Sequence, residues 1–430
     1  MKVLSAILRL LRVRDFALLW LGLTISLFGD GIYIVAVAWQ VYKLSSSPAA
    51  LGVVGIAFLV PQVTFAVVGG VITDRMDRRL VLIGGSLMSG LSIGLIGLLA
   101  QVQALQLWEI VALVLVYGAS QAFYLPASMA LLLTRVPADL LPQANAAQQF
   151  VMPIAMNLAG PALGGAIIAL WGTGSAFAID ALTFGVAAVA VAFLSGAPAA
   201  KHEEEEGEHA GGLSMLRDAG RAASYVRSQP WLWGSMVAAA IANLSLAGPV
   251  QVLFPYVIRF QLHSGPAELG LVFGWGGAGA IVAAILVGWH GLPGRAVPLL
   301  IGVWAVAVLA VAPAALAAAP WQVMALNFVI QGGLAYGNTL FMTLLGVRVP
   351  GQMLGRVSSF DMMVSFSLMP LSFALTGPLA ALIGTRTLLL VAGVAASVVV
   401  FAILLVPGVR ERNDVAQPSA EPGHAAEQLP

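Results

Sequence analysis

The sequence predicts an all-α integral membrane protein with twelve transmembrane helices in two six-helix halves. First, 60% of its 430 residues are hydrophobic and only 9% are charged, whereas soluble globular proteins carry roughly 25% charged residues. Second, apolar segments of about 20 residues, the length that crosses a bilayer, recur along almost the whole chain. Third, short motifs repeat at equivalent places in the two halves. The bilayer is therefore the expected solvent for most of the chain.

The apolar segments follow one another with only short polar breaks. Six lie in a first half, residues 1–196, and six in a second half, residues 231–407. A polar stretch, residues 197–230, joins the halves, and a polar tail, residues 408–430, follows. We number the segments as spans 1 to 12 and predict them over residues 14–42, 49–73, 80–100, 108–133, 142–169, 174–196, 231–258, 267–289, 296–317, 321–346, 353–381 and 386–407.

The polar regions predict a linker and a disordered tail. The central stretch begins with KHEEEEGEHAGG, which we interpret as a solvated acidic linker, because a calcium site needs spaced oxygen ligands in a folded loop. The following LSMLRDAGRAASYVRS predicts an amphipathic helix at the membrane interface. The tail has the polar composition of a disordered segment.

The Lys and Arg residues predict the orientation. Only Lys43, Arg259 and Arg386 fall on the side away from the termini, and the other 17 of the 20 fall on the side of both termini. Cytoplasmic loops carry the excess of basic residues, so we expect a multi-pass protein of the cell membrane with both termini in the cytoplasm. Arg9 and Arg12 interrupt the first apolar residues, which argues against a cleaved signal peptide.

Several function classes are excluded by what the sequence lacks. There is no cysteine, so disulfides and thiolate sites are impossible, and no basic tract suggests nucleic acid. The five histidines lie outside the predicted membrane midplane and none has HExxH spacing, so we expect neither a membrane enzyme nor a bound cofactor or metal. No GxxxxGK[ST] motif is present to hold a nucleotide. The energy for any transport must come from a gradient.

The two halves carry matching motifs. TRVPADLLPQANA from Thr134 and VRVPGQMLGRVSS from Val347 align between spans 4 and 5 and between spans 10 and 11. A Gly-Pro pair follows in each half, at Gly160 and at Gly377. Such a six-plus-six duplication is typical of secondary transporters that work by alternating access.

The loop between spans 2 and 3 reads GGVITDRMDRRLVLIGG, with the spacing GxxxDRxxRR formed by Gly70, Asp74, Arg75, Arg78 and Arg79. Asp74 is expected near the cytoplasmic start of span 11, where it would favour that helix's N-terminal dipole and pair with an arginine. Such a contact can exist in only one access state, and we interpret the five residues as a conformational latch. The alternative is that these arginines only set the topology.

Three acidic residues lie away from the ends of the predicted spans, where a charge costs at least about 2.5–3.5 kcal/mol. Asp30 is the deepest, near the middle of span 1, and its glycine neighbours would let it face a water-filled cavity. Asp180 lies nearer the outer end of span 6 and Asp361 two turns into span 11. All three are candidates for proton coupling. A structural role remains the alternative for each, and it is the simpler explanation for Asp180 and Asp361.

These motifs give the chain a family resemblance. The loop resembles the signature loop of the major facilitator superfamily, although Asp77 stands where that family usually has a second glycine. Gly160, Pro161, Gly164 and Gly165 form GPxxGG in span 5, which resembles the motif of proton-driven drug antiporters in that superfamily, with Met156 at the usual preceding glycine. The segments SLFGDGIYIVAVAWQVYKLSSSP, AFAIDALTFGVAA and SYVRSQPWL resemble the macrolide-efflux and enterobactin-exporter branch.

The resemblance implies that spans 1, 4, 7 and 10 line a central cavity. The chain differs from the family in one respect: span 4 lacks the arginine that many proton-coupled drug antiporters carry there. Proton coupling would therefore rely on acidic groups. The polar and aromatic residues of the four spans suit an amphipathic solute. Besides Asp30, the predicted cavity residues are Ser26, Tyr33, Gln121, Tyr124, Asn243, Gln251, Gln331, Tyr336 and Asn338.

The sequence therefore predicts a secondary active transporter that exports amphipathic small molecules such as drugs, macrolides or siderophore-like compounds. Protons are the expected coupling ion, membrane lipid the expected surroundings and a monomer the expected form. A lipid or lysolipid flippase and an uptake symporter of the same fold are the alternatives.

The predicted orientation can be tested in this cysteine-free chain. A membrane-impermeant maleimide should label Glu205→Cys only from the cytoplasmic side, whereas His263→Cys, in the loop after span 7, should be labelled in intact cells. Labelling of Glu205→Cys in intact cells would contradict the assignment.

Overall fold

The computed structural model describes residue 10 and residues 12–136, 140–195 and 212–410, except for the side chains of residues 67, 68, 70, 71, 74, 75, 133 and 212–219. Within these residues the regular secondary structure is helical throughout. The helical segments long and apolar enough to cross a membrane number 11: Arg14–Leu44, Pro48–Ala66, Arg78–Gln101, Leu107–Leu132, Leu141–Ala192, Pro230–Gln261, Pro266–His290, Ala296–Leu316, Pro320–Arg348, Gly351–Ile383 and Thr385–Leu405.

One of these segments contains two membrane crossings. Leu141–Ala192 has 52 residues, whereas a single crossing needs about 20. Its backbone breaks at Gly172, where φ is 84° and ψ is 172°, a conformation that favours glycine. The break falls between the predicted spans 5 and 6. The described residues thus form twelve helical crossings, and the predicted all-α membrane fold is confirmed.

Several spans are interrupted along their length. Span 5 contains a π-helical turn, Ile154–Ala159, and span 7 contains two, Pro249–Leu253 and Val257–Gln261. Span 11 divides into the helices Gly351–Phe366 and Met369–Ile383. Helix interruptions of this kind occur frequently at functional sites in membrane bundles.

The region between the halves is described only in part. The helix Gly212–Ser228 lies where the sequence predicts an amphipathic helix. The acidic tract and most of the polar tail lie outside the described residues. The limits of the two halves, the linker and the tail stay predictions.

The two halves pack together at glycine residues, where the helix backbones approach closely. Gly165 of span 5 lies against Gly270 of span 8, and a methyl group added at Gly165 would be 2.9 Å from the Cα atom of Gly270. Gly377 of span 11 lies equally close to Ala49 at the start of span 2. Small residues allow helices in a membrane to approach closely, so these pairs fix the contact between the halves.

Aromatic side chains close the bundle at the end away from the termini. The guanidinium carbon of Arg259, in span 7, lies 4.6 Å from the centre of the Trp39 ring in span 1. The Tyr42 hydroxyl donates a hydrogen bond of 2.8 Å to the carbonyl of Val252. The Tyr42 ring also packs edge-on against Phe260, with centroids 5.6 Å apart. We call these residues of spans 1 and 7 the outer gate.

At the opposite end the halves separate. The outer half of span 11, Met369–Ile383, packs against span 2 of the first half. The other half of the same span, Gly351–Phe366, packs against the helix Gly212–Ser228 and spans 7 and 10, all within the second part of the chain. The bundle is therefore closed at the outer gate and open toward the end where the termini lie. With the predicted orientation, this is an inward-facing state.

Removing the Tyr42 hydroxyl should weaken the outer gate. A typical intramolecular hydrogen bond contributes about 1 kcal/mol, so Tyr42→Phe should shift the balance of access states outward about fivefold. The measurement is the labelling rate, from the outer side, of a cysteine placed at Gln251 in the cavity wall.

Tyr256→Phe is the matched control for this experiment. Tyr256 packs beside Tyr42 and Phe260, but its hydroxyl makes no hydrogen bond within the described residues. The control should label at the wild-type rate. An equal increase in both variants would show that the Tyr42 hydrogen bond does not hold the gate.

Candidate functional site

A cavity lies between the two halves, and its wall includes residues of the interrupted segments in spans 5, 7 and 11. It consists of two adjoining chambers of about 220 and 280 Å³. The smaller chamber is lined by amide side chains, those of Asn157, Asn243, Gln251 and Gln331. The larger one is lined by aromatic rings and one acid. The residues common to both are Ile34, Met156, Gln251, Phe273 and Met369.

Asp30 supplies the acid of the larger chamber. The Tyr117 hydroxyl donates a hydrogen bond of 2.7 Å to Asp30 Oδ1, and Gln121 Nε2 donates one of 2.9 Å to the Tyr117 oxygen. The ring of Tyr117 is held by Tyr33 and Phe58, with centroid distances of 5.0 and 5.3 Å. Asp30 Oδ2 makes no hydrogen bond within the described part of the chain. The carboxyl is thus oriented on one side and free on the other.

A second carboxyl lies behind Asp30. Asp180 of span 6 is fully buried and lies against the backbone of Gly29. It is close enough to Asp30 for the two carboxyl groups to interact electrostatically. The Thr183 hydroxyl donates to the backbone carbonyl of Asp180, at 2.7 Å, and more weakly to Asp180 Oδ1, at 3.4 Å. Within the described residues, Asp180 Oδ2 has no hydrogen-bond partner. The structure therefore brings two of the predicted coupling residues together.

Neither carboxyl has a basic neighbour. The ion pair found among the described residues lies elsewhere, near the start of span 1. It joins Arg135 to Asp15, with 3.2 Å between Nη1 and Oδ2. Two buried carboxylates without a counter-cation would repel each other and would both lose their hydration. The pair is thus suited to binding protons or a cationic solute.

Asp361 lies elsewhere. Its side chain is buried in span 11 and accepts a hydrogen bond of 2.8 Å from Ser365 one turn later. The carbonyl of Ser365 in turn accepts a bond of 2.8 Å from the amide of Asn243. Asp361 lines neither chamber but touches the cavity wall through these two residues.

The predicted cavity residues fall into three groups. Tyr33, Asn243, Gln251 and Gln331 line the chambers. Three others, Ser26, Gln121 and Tyr124, are buried inside the first half. The remaining two lie outside the chambers, because Tyr336 lines a separate apolar cavity and Asn338 is exposed. The chamber residues that the sequence did not indicate include Phe58, Tyr117, Asn157, Phe273 and Phe373.

For one of these missed residues, Tyr117, the sequence does contain a signal. Tyr117 precedes Gln121 by four positions, so the two share a helix face. The others belong to spans 2, 5, 8 and 11, which the family arrangement did not assign to the cavity. Span 5 enters the wall because its π-helical turn, Ile154–Ala159, places Met156 and Asn157 there.

The glycine motif of span 5 packs directly beside Asp30. A methyl group added to Gly160 would lie 2.8 Å from the Cα atom of Gly31, and one added to Gly164 would lie 2.9 Å from that of Ile32. Pro161 lines the smaller chamber. Span 5 therefore packs against span 1 through Gly160 and Gly164, and against span 8 through Gly165.

The loop after span 2 is described in part. The side chains of Gly70, Asp74 and Arg75 lie outside the described residues. Arg79 Nη2 donates to the carbonyls of Val191 and Ala192 at the end of span 6, at 3.3 and 3.2 Å. Arg78 makes no hydrogen bond or ion pair within the described residues.

Asp77, at the position where the family usually has a glycine, begins span 3 as its N-cap. Its Oδ1 atom accepts a bond of 2.8 Å from the backbone of Arg79. An aspartate is among the residues preferred at a helix N-cap, because it satisfies a free backbone N–H group. The departure from the family pattern therefore leaves a well-formed turn.

Known proteins share this fold and sequence pattern. The family profile described as "Major Facilitator Superfamily" matches residues 19–372. Macrolide efflux protein A of Streptococcus pyogenes is 20% identical over 278 residues, which is 64% of this chain and 66% of that protein. The multidrug efflux pump Tap of Mycolicibacterium fortuitum is 26% identical over 406 residues, 91% of this chain and 95% of that protein.

The alignments differ in how much of each relative they cover. The chain spans 61% of the length of YfiS, an uncharacterized MFS-type transporter of Bacillus subtilis that is 25% identical over 62% of this chain. Among solved structures, a bacterial homolog of the human lysosomal transporter Spinster, in an inward-facing and unoccupied conformation, superposes with a TM-score of 0.66. It is 14% identical over 91% of this chain and 95% of that chain, a likeness that shows the fold.

Proposed function

The chain belongs to the major facilitator superfamily, and from that membership we propose that it exports amphipathic small molecules in exchange for protons. Membership confirms the resemblance to the major facilitator superfamily read from the motifs and makes the protein a membrane transporter and not an enzyme. The match to macrolide efflux protein A agrees with the resemblance to the macrolide-efflux branch. The export direction, the coupling ion and the class of solute belong to the proposal.

The chemistry of the cavity supports this choice of solute. The larger chamber is lined by the Asp30 carboxyl and by the rings of Tyr33, Phe58, Phe273 and Phe373. Neither chamber has a basic side chain among its lining residues. Aromatic faces bind apolar and cationic groups, and the amides of the smaller chamber can orient polar ones. An amphipathic molecule that is neutral or positively charged fits such a wall better than an anion does.

Asp30 carries the proposal. Its free Oδ2 atom meets the chamber, and Asp180 behind it adds a second negative charge if both are ionised. We propose that the pair holds at least one proton when the cavity is empty and closed to water. A cationic or hydrogen-bonding solute entering from the cytoplasm would displace that proton. Competition at one site then links the two fluxes, because the empty carboxyl pair must be reprotonated before it returns.

Asp361 has a different place in this proposal. It lies near the cytoplasmic half of span 11 and contacts the wall through Ser365 and Asn243. We assign it a structural role, in which it orients the amide of Asn243, while Asp30 and Asp180 exchange protons.

The orientation and surroundings are proposed with the function. Both termini and residues 197–230 would be cytoplasmic, the protein would work as a monomer in the cell membrane, and the divided halves would rock about the cavity. A lysolipid flippase of the same fold is the alternative. Transport of a labelled lysolipid in proteoliposomes, without transport of an amphipathic cation, would favour it.

The central test replaces Asp30. Asp30→Asn keeps the size of the side chain and can still hydrogen-bond Tyr117, but it cannot bind and release a proton. In proteoliposomes it should bind solute, yet lose accumulation against a gradient and lose the proton flux that solute addition drives. Both are measured with a labelled amphipathic cation and an internal pH dye.

Asp361→Asn provides the matched control, since it removes another buried carboxyl of the bundle. It should retain the coupling of solute to proton flux, even if its rate is lower. Wild-type proton flux in Asp30→Asn would make Asp30 structural and move the search for the coupling site to Asp180 or Asp361.

The loop after span 2 should act as a latch on the open side. We propose that Asp74 pairs with the start of span 11 only when the cytoplasmic side closes. Asp74→Asn should therefore slow transport and favour the inward-facing state, with expression unchanged. Labelling of a cavity cysteine from each side measures that balance.

Asp77→Asn removes a negative charge from the same loop. Asn is as good an N-cap as Asp, so span 3 keeps its start. If the latch depends on Asp74, the Asp77 variant should transport at the wild-type rate. Equal losses in the two variants would assign the loop's charges to topology alone.

A further inference from the structure

A second cavity opens on the outside of the second half, away from the central chambers. It measures about 620 Å³ and is almost entirely apolar. Spans 8 and 9 barely touch each other, although each packs against span 10. The cavity lies in the gap between them, and its rim residues Leu286, Val306 and Phe401 are exposed. We call it the lateral groove.

Four glycines line the lateral groove: Gly279, Gly302, Gly332 and Gly333. A methyl group added at Gly302 would meet nothing within 4 Å, whereas one added at Gly279 would collide with the backbone of span 10 and one added at Gly333 with span 9. Gly302 therefore leaves open space in the groove, and the other glycines let spans 8 and 9 pack closely on span 10.

The groove extends for a length suited to part of an acyl chain. Its lining runs from Gly279 to Leu286 in span 8 and from Pro298 to Val306 in span 9. At a rise of 1.5 Å per residue, each stretch is roughly 10 Å long. One leaflet of the hydrocarbon core is about 15 Å thick. The groove thus covers much of the depth of a single leaflet.

Two basic side chains stand at the end of the groove that faces the termini. Leu286 lines the groove, and His290 lies one helical turn after it, with its Nδ1 atom 2.8 Å from the carbonyl oxygen of Leu286. The backbone of Leu299 bonds to the carbonyl of Arg295, so Arg295 lies one turn beyond the lining of span 9. Both side chains are exposed.

Within the described residues, the positive charge at this end has no acidic partner. Arg295 forms no ion pair or hydrogen bond through its side chain within the described residues. No Asp or Glu occurs between Leu286 and Leu299. Trp289 beside them is 80% exposed, as expected of an aromatic residue at the level of the lipid headgroups. An apolar groove that ends in free positive charge at the headgroup level matches one chemistry, an anionic lipid.

We propose that the lateral groove binds one acyl chain of an anionic phospholipid, whose phosphate lies on Arg295 and His290. With the proposed orientation, this lipid belongs to the cytoplasmic leaflet. Basic pockets between spans on that side are a known way to hold anionic headgroups. The bound chain would fill the gap between spans 8 and 9 and support span 10, whose other face lines the central cavity with Gln331.

The first test measures lipid binding by native mass spectrometry of the purified full chain in detergent. Phosphatidylglycerol and phosphatidylcholine with identical acyl chains are the probes. The wild type should retain phosphatidylglycerol in preference. Arg295→Gln should weaken that binding about fivefold, the effect of one basic residue near anionic lipid. Arg386→Gln, an equal change of charge at the other end of the bundle, should leave it unchanged.

The second test fills the groove itself. Gly302→Leu adds a side chain where the structure has open space, and leucine favours a helix more than glycine does. It should abolish the retention of both lipids. Gly185→Leu is the matched control, because an added Cβ at Gly185 also meets nothing within 4 Å. The control should bind lipid as the wild type does.

Three results would overturn the proposal. One is unchanged phosphatidylglycerol binding in Gly302→Leu, and another is equal retention of the two lipids by the wild type. The third is a dimer in the same spectra that Gly302→Leu dissociates, which would assign the groove to a second copy of the chain. Lipid retention is measured without transport, so these outcomes are independent of whether the chain exports solutes.

Discussion

A carboxyl pair buried without a cation is the constraint on which the rest of the site depends. Asp30 and Asp180 lie together within the first half, and the described residues supply neither with a basic partner. A soluble protein could relieve this arrangement with water or an arginine. In a bilayer, relief must come from hydrogen bonds, from protons or from a solute. Tyr117 satisfies one oxygen of Asp30, and the opening of the chamber leaves the other available.

The carboxyl pair is tied to the helix packing through its glycine neighbours. Gly29 lies against Asp180 and Thr183, and Gly31 lies against Gly160 of span 5. Neither contact leaves room for a side chain, so spans 1, 5 and 6 meet at the backbone on both sides of Asp30. Packed interfaces of this kind rearrange as units and do not deform gradually. A change in the charge of Asp30 would therefore act directly on the packing of spans 1, 5 and 6, which is what the proposed exchange mechanism requires.

The sequence predicted the fold well and the cavity wall only in part. Hydropathy finds spans because the bilayer requires apolar helices, and the bend at Gly172 falls between the predicted limits of spans 5 and 6. Hydropathy does not say which face of a helix meets a cavity. Tyr336 follows Gln331 by five positions, about 140° around the helix, and so faces the lateral groove. Phe58 and Phe373 line the chamber but have the composition of ordinary packing residues, and only tertiary structure distinguishes them.

The outer gate shows why the closed state need not be strongly favoured. Lys43 and Arg259, two of the three basic residues predicted on the outer side, come close enough in this state to interact electrostatically. Their mutual repulsion opposes closure, while the stacking of Arg259 on Trp39 and the hydrogen bond of Tyr42 favour it. Contributions of this kind are about 1 kcal/mol each and of opposite sign. A solute or a proton bound at Asp30 could shift the populations of two access states that differ by only a few kcal/mol. In the proposed mechanism, binding at the carboxyl pair can therefore open the gate, because the free energies of the two processes are of similar size.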